Sequence, residues 1–180
     1  MRLFVAIDPP PAALDDLAAA TGALTVIRTG TRVTARQLWH VTLAFIGEVP
    51  DDRLPVAVGA LDQAAAGQPA PMLRIAGGGR FGRGKFTVLW VGIDGELRPL
   101  REVLTRHLRR GRVPFDAKRF HPHLTIARPG DRLPREDVDR DVATLSGYEG
   151  PEWTVDALHL VRSYLGPKPR YETLHAARLG

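Results

Sequence analysis

The sequence predicts an α+β protein of two pseudo-symmetric lobes, each an antiparallel sheet with helices on its outer face, arranged around a central cleft. Three observations lead there. A short pattern, His-x-Thr-apolar, occurs twice, at His40-Val41-Thr42-Leu43 and His123-Leu124-Thr125-Ile126. The copies stand 83 residues apart in a chain of 180, a spacing near half the chain and unlike the short period of a solenoid. Each copy is preceded by a strand and a helix and followed by a helix, so the halves look like an imperfect duplication. One domain is expected over residues 1–180, built from two interleaved lobes with one motif in each, at 40–43 and 123–126.

The elements follow from local pattern. Residues 2–8 are short and apolar, as a first strand. Pro9-Pro10-Pro11 opens a helix whose stripe is Leu14, Leu17, Thr21 and Leu24, spaced near 3.6. The first motif strand covers 38–46 and is ended by Gly47 and Pro50. Asp51-Asp52 starts a second helix that runs to about Ala66, before the breakers Gly67-Gln68-Pro69. Strands at 72–76 and 86–93 flank a glycine-rich stretch, Gly77 to Gly84, expected as a flexible hairpin loop from which Arg80 and Arg83 approach a substrate. That stretch lacks Gly-Lys-Ser/Thr and precedes a strand, so P-loop and dinucleotide readings fail on context. A third helix over 95–110 carries Leu97, Leu100, Leu104 and Leu108 on one stripe. The second motif strand covers 119–128, a fourth helix runs from Pro134 to about Leu145, and two strands near 153–164 and 170–178 complete the chain.

With 6 histidines and 12 threonines in 180 residues, chance supplies only about 0.4 His-x-Thr pairs, so two strand-embedded copies form a signal. Side chains alternate along a strand, which puts His40 and Thr42 on one face and Trp39, Val41, Leu43 and Phe45 on the other. In the second copy His123 and Thr125 oppose Pro122, Leu124 and Ile126. Two imidazoles and two hydroxyls facing one cleft suit acid–base chemistry on a phosphate ester. Imidazole titrates near neutrality, so one ring can accept a proton while the other donates one.

Composition narrows the setting. The chain has no cysteine, which removes disulfides, thiolate metal sites and cysteine nucleophiles. No run approaches the ~20 apolar residues of a membrane helix. The prolines after Asp8 interrupt any secretory signal, so a cytoplasmic location with no membrane partner is expected. Net charge is +5, and Arg98 to Arg119 holds eight positive against two negative residues, a patch suited to a polyanion.

Beyond the motifs, longer stretches resemble one family. These are Met1-Arg2-Leu3-Phe4-Val5-Ala6-Ile7, His40 through Val49, Val88-Leu89-Trp90-Val91-Gly92, Phe120 through Arg128, Leu160-Val161-Arg162-Ser163 and Tyr171. Together they resemble the 2H phosphoesterases, and among them the RNA 2′,3′-cyclic phosphodiesterases once called 2′-5′ RNA ligases. The resemblance implies hydrolysis of RNA 2′,3′-cyclic phosphate ends to 2′-phosphates, together with reversible 2′-5′ RNA ligation in vitro. It implies His40 as proton donor and His123 as proton acceptor, an order that the residues alone leave open. It also implies that no metal or cofactor is required and that the partner is RNA or a small nucleotide with a 2′,3′-cyclic phosphate. Thr42 and Thr125 would donate to non-bridging phosphate oxygens. Arg128 matches a phosphate contact of relatives, yet lies an odd five positions from His123, so the strand must end or bulge before it. A monomer is the expected state.

Two rival readings stand beside this one. His40, His121 and His123 could form a three-imidazole metal site of a metal-dependent hydrolase. Alternatively, the basic segment with Phe81, Phe115 and Tyr164 could make a non-catalytic RNA-binding module. His107, His159 and His175 have no motif context, and His121 outside the metal reading is expected as a polar residue at the cleft edge.

Overall fold

In the computed structural model, which describes residues 1–167 and 169–180, the chain forms two four-stranded antiparallel sheets. The first is ordered β2-β1-β7-β8, from Val41–Glu48, Arg2–Ile7, Ala157–Tyr164 and Arg170–Arg178. The second is ordered β5-β4-β3-β6, from His123–Ala127, Val88–Asp94, Met72–Phe81 and Glu149–Thr154. Each motif strand is thus an edge strand, paired with the strand that precedes it in its half of the chain.

Among the described residues five α-helices pack around the sheets: α1 (Pro11–Thr21), α2 (Thr25–Arg28), α3 (Leu54–Ala65), α4 (Arg98–Arg110) and α5 (Arg135–Ser146). α3 lies on β7 and β8, and α5 on β3 and β4. The helices before the motif strands are exchanged: α1 packs on β3 and β6 of the second sheet, while α4 packs on α3 and on β2 of the first. The phenol of Tyr148 fixes the first exchange by donating to Asp16 at 2.6 Å. Leu17 on α1 and Leu100, Leu104 and Leu108 on α4 are buried, as their spacing predicts, and α4 starts with Pro99 in its first turn. Its other side carries the arginines.

The glycine-rich stretch is not a loop. Residues 77–81 continue β3, and the connection to β4 is shortened to residues 82–87. Glycine is needed there for packing: a Cβ on Gly78 would lie 2.5 Å from the Leu145 Cβ and 2.9 Å from the Trp90 carbonyl oxygen. Gly78→Ala is therefore expected to lower stability by about 1–3 kcal/mol through overpacking against α5, read as a lower denaturant midpoint with unchanged m-value. Arg80 faces away from the cleft and pairs with Asp139 of α5 at 3.5 Å, so it does not approach the motif residues. The C-terminal region holds three strands, because Val155 and Asp156 break the first predicted one into β6 and β7.

Bulges decide which side chains reach the cleft. Along β1 and β2, Phe4 pairs with Phe45, Val5 with Ala44 and Ala6 with Thr42, leaving Leu43 and Ile46 as extra residues on β2. The extra residue at Leu43 shifts the alternation, so Phe45 shares the cleft face with Thr42, opposite to the expected face, and is 49% exposed. The first motif strand also starts later than predicted. His40 sits just before β2, after a 3₁₀ turn at Arg36–Leu38. On the second sheet Trp90 pairs with Thr125 and Leu89 with Ala127, so Ile126 is the extra residue.

Candidate active site

Both histidines are held by the same device. The Nδ1–H of His40 donates to the Leu38 carbonyl at 2.7 Å, and that of His123 donates to the His121 carbonyl at 2.7 Å. A carbonyl can only accept, so Nδ1 carries the proton in each ring and Nε2 is the atom left for chemistry. In His40, Nε2 accepts from the Thr42 hydroxyl at 3.0 Å. His123 has Thr125 two residues on, on the same strand face and level with Trp90 of β4. His40 packs between Phe4 (ring centroids 4.8 Å) and Tyr171 (5.1 Å, edge-on). His123 meets Phe81 edge-on at 4.9 Å.

The bulge at Ile126 resolves the odd offset of Arg128. With one extra residue, Ala127 takes the buried face opposite Leu89, and Arg128 emerges on the side of His123 and Thr125. Its backbone is tied to the Arg32 carbonyl at 3.0 Å, beside a bridge between Val33 and Ala127 that covers the β5 edge. Its guanidinium acts electrostatically on both His40 and His123. The structure therefore gathers His40, Thr42, His123, Thr125 and Arg128 at one cleft between the two motif strands.

Burial lowers both imidazole pKa values below the ordinary 6.5. The remaining influences differ. His40 is raised in part by its Leu38 bond and by the Asp8 carboxylate, with Arg128 opposing. His123 is raised by its bond to His121, but the charges of His121, Arg128 and His40 all lower it. Asp8 also accepts from the Nδ1–H of His159 at 2.6 Å, which raises the His159 pKa. Among the described residues a carboxylate, Asp8, thus acts on His40, whereas the charges acting on His123 are cationic.

Two residues of these surroundings were given no role by pattern. Asp8 directly follows β1, and nothing local marks it; Tyr171 belongs to the matching C-terminal stretch but reaches His40 only through the pairing of β7 and β8. His121 is exposed, with its ring against Trp90 at 4.5 Å and Phe81 at 5.5 Å. Among the described residues no group of three His, Asp or Glu side chains is placed to hold a metal ion, so His40, His121 and His123 do not assemble as a ligand set. No helix among the described residues is long and apolar enough to cross a membrane.

Comparison with known proteins identifies the family. The profile of the 2′-5′ RNA ligase superfamily matches residues 7–167. The chain is 34% identical to the RNA 2′,3′-cyclic phosphodiesterase of Thermus thermophilus, over 97% of this chain and 88% of the relative. It is 30% identical to the enzyme of that name from Archaeoglobus fulgidus, over 97% and 98%. A crystal structure of a Thermus thermophilus protein superposes with a TM-score of 0.80 at 29% identity, covering 99% of this chain and 98% of that one. E. coli LigT in its apo form shares the fold, with a TM-score of 0.74 at 22% identity and coverage of 99% and 96%. The duplicated motif, the paired sheets and a match over most of its length agree: the chain belongs to the 2′-5′ RNA ligase superfamily.

Proposed function

We propose that this protein hydrolyses RNA 2′,3′-cyclic phosphate ends to 2′-phosphates by metal-independent catalysis between two histidines. The observation that carries the reading is the matched pair of imidazoles, each with Nδ1–H pinned to the carbonyl two residues earlier and each sharing the field of Arg128. His123 Nε2 removes a proton from water as it attacks phosphorus, and His40 Nε2–H protonates the departing O3′. Attack and departure lie on opposite sides of phosphorus, as two facing strands require. Arg128 and the hydroxyls of Thr42 and Thr125 hold the non-bridging oxygens, where charge builds in the transition state. The order of the histidines is supported by their surroundings, since Asp8 favours the protonated ring at His40 while neighbouring cations favour the neutral ring at His123.

The leaving oxygen belongs to the ribose, so the terminal nucleoside lies on the His40 side. There a cavity of about 260 Å³ is bordered by Phe4, Tyr171, Asp8 and Arg36. E. coli LigT, whose fold this chain shares, has been crystallised with 3′-AMP, which accords with a nucleotide ligand. With a 5′-hydroxyl in place of water, the same steps open the cyclic phosphate to a 2′-5′ phosphodiester, and their reverse cleaves that bond. The test is hydrolysis of a short RNA ending in a 2′,3′-cyclic phosphate, with EDTA present. Formation of the 2′-phosphate is expected; a 3′-phosphate product, or activity abolished by EDTA and restored by a divalent metal, would overturn the reading.

The pH profile follows from the histidines. The productive pair carries one proton, and both rings titrate low in the free enzyme. The substrate diester keeps its single charge throughout. Accordingly kcat/KM is expected to peak on the acid side of 6.5, the ordinary imidazole value, and to fall as that proton is lost at higher pH. Bound phosphate stabilises the imidazolium, so the kcat profile should lie at higher pH than that of kcat/KM. Arg128→Gln removes a charge that lowers both rings and should move the kcat/KM profile upward. An alkaline kcat/KM maximum in the wild type would contradict this assignment.

A further inference from the structure

The cleft face of the first sheet continues past His40 to exposed side chains, Arg2 and Phe45, that the opening of a cyclic phosphate does not require. Strand alternation puts Arg2 on the face of Phe4, level with Ser163 of β7, which is in turn level with Tyr171 of β8. Phe45 stands on the same face with its ring 6.2 Å from that of Phe4, while Tyr171 meets Phe4 edge-on at 5.0 Å. Phe45 and Tyr171 are 49% and 38% exposed. Arg2 is exposed and forms no ion pair among the described residues; Glu48, its register partner on β2, lies 3.8 Å from the amino terminus instead. Burial raises the Tyr171 pKa, and the charges of Arg128 and Arg2 both oppose that rise, so the two guanidiniums stand near one phenol.

An exposed ring beside an unpaired guanidinium suits a nucleotide, since the ring stacks a base and the guanidinium takes a phosphate. The position of this shelf gives it a meaning that rests on the catalytic reading above. The reacting phosphate meets His40, whose ring lies 4.8 Å from that of Phe4. Arg2 is two residues along β1 from Phe4, about 6.8 Å, a reach that one nucleotide of an extended strand covers. A nucleoside cyclic phosphate has nothing to place there. An RNA end has the diester that joins its last two nucleotides, and beyond it the penultimate base. We propose that the shelf is the site of the penultimate nucleotide, where Arg2 holds the diester between the last two nucleotides and Phe45 stacks the penultimate base, so that RNA ends are selected over free cyclic mononucleotides. The shelf makes and breaks no bond. It binds a part of the substrate remote from the reacting phosphorus, and that binding raises kcat/KM for the longer substrate. The segment fastened to the Phe45 carbonyl through the Asp116 N–H runs on into exposed Lys118 and Arg119, so a strand leaving the shelf meets further positive charge.

The test compares three substrates: adenosine 2′,3′-cyclic phosphate, the dinucleotide ApA ending in a 2′,3′-cyclic phosphate, and the same dinucleotide with its first base removed. All three present the same reacting group and terminal nucleoside, so ratios of kcat/KM within one enzyme cancel changes in catalysis itself. In the wild type the dinucleotide is expected to exceed the mononucleotide, with the abasic form between them. Phe45→Ala should lower the ratio of dinucleotide to abasic form about 5- to 100-fold, the worth of a base-stacking contact. Arg2→Gln should bring the ratio of abasic form to mononucleotide towards one. It should also remove the salt dependence of that ratio, a slope of about −0.7 in log ratio against log salt for one phosphate contact. Equal kcat/KM for all three substrates in the wild type, or a dinucleotide advantage that survives both substitutions, would overturn the shelf and leave the hydrolytic reading standing. Failure of the wild type to hydrolyse any of the three would instead sink that reading, and the shelf with it.

Discussion

Replacing His123 with alanine is expected to lower kcat/KM for cyclic phosphate hydrolysis about 10²- to 10⁴-fold, and His40→Ala by a similar factor. These losses correspond to about 2.7–5.4 kcal/mol of transition-state stabilisation. Affinity for the 2′-phosphate product should fall much less than kcat/KM, because Arg128 and the threonines remain. The two losses should not add in the double variant, since the histidines act on one transition state. The variants differ in what rescues them. A phosphodiester with a nitrophenol leaving group needs no proton at departure, so His40→Ala should regain much of its activity on it while His123→Ala stays impaired. Equal impairment of both variants on that substrate would remove the assignment of His40 as the acid. Retention of full activity by either variant on the RNA substrate would remove the two-histidine mechanism.

Much of this arrangement was legible because strand periodicity and motif repetition are local properties. His40 with Thr42, and His123 with Thr125, share a face as an alternating strand requires, and the leucine stripe of α4 packs inward at the spacing written in its sequence. The departures have a common origin in features that periodicity does not register. One extra residue at Leu43 turns Phe45 into the cleft, and one at Ile126 brings Arg128 to the histidines. Glycines at 77–79 have the composition of a turn but serve as a strand whose missing side chains admit Leu145 and Trp90. Asp8, beside His40, and Trp90, beside His123, are set by pairings between distant segments, which no local pattern encodes.

The edge position of both motif strands has a consequence for the chemistry. Edge strands bring the two histidines towards one another, but they leave backbone groups in need of cover. Here the segment before His40 covers β5 through the Val33–Ala127 bridge, with the Thr34 N–H donating to the Ile126 carbonyl. The segment before His123 covers β2, with the Asp116 N–H donating to the Phe45 carbonyl. Each motif is therefore approached by a chain segment that is itself fastened to the other motif strand. This reciprocal lacing ties the position of one histidine to that of the other, although they belong to different sheets.

Asp141 anchors one end of that lacing, and its loss is expected to be the most costly single change away from the cleft. It lies on α5, is only 3% exposed, and accepts from the backbone N–H groups of Thr25 at 2.7 Å and Val26 at 2.9 Å. These are the first two residues of α2, whose own N-cap position, Leu24, has no side-chain acceptor to offer. A carboxylate 115 residues away thus takes the place of a cap and sets its negative charge at the positive end of the helix. Alanine would remove two charge-assisted bonds and leave one buried and one part-buried donor without partners, a loss of about 2–4 kcal/mol. For a chain of this size that amounts to a fall in Tm of roughly 5–15 °C. Asparagine keeps one oxygen acceptor and the shape, so it should fall between. Because α2 leads into the segment that covers β5 and carries His40, proteolysis of Asp141→Ala should begin near residues 22–36 at temperatures where the sheets remain folded. A Tm within about 1 °C of wild type, or first cleavage elsewhere, would show that α2 is held by its apolar contacts and not by this carboxylate.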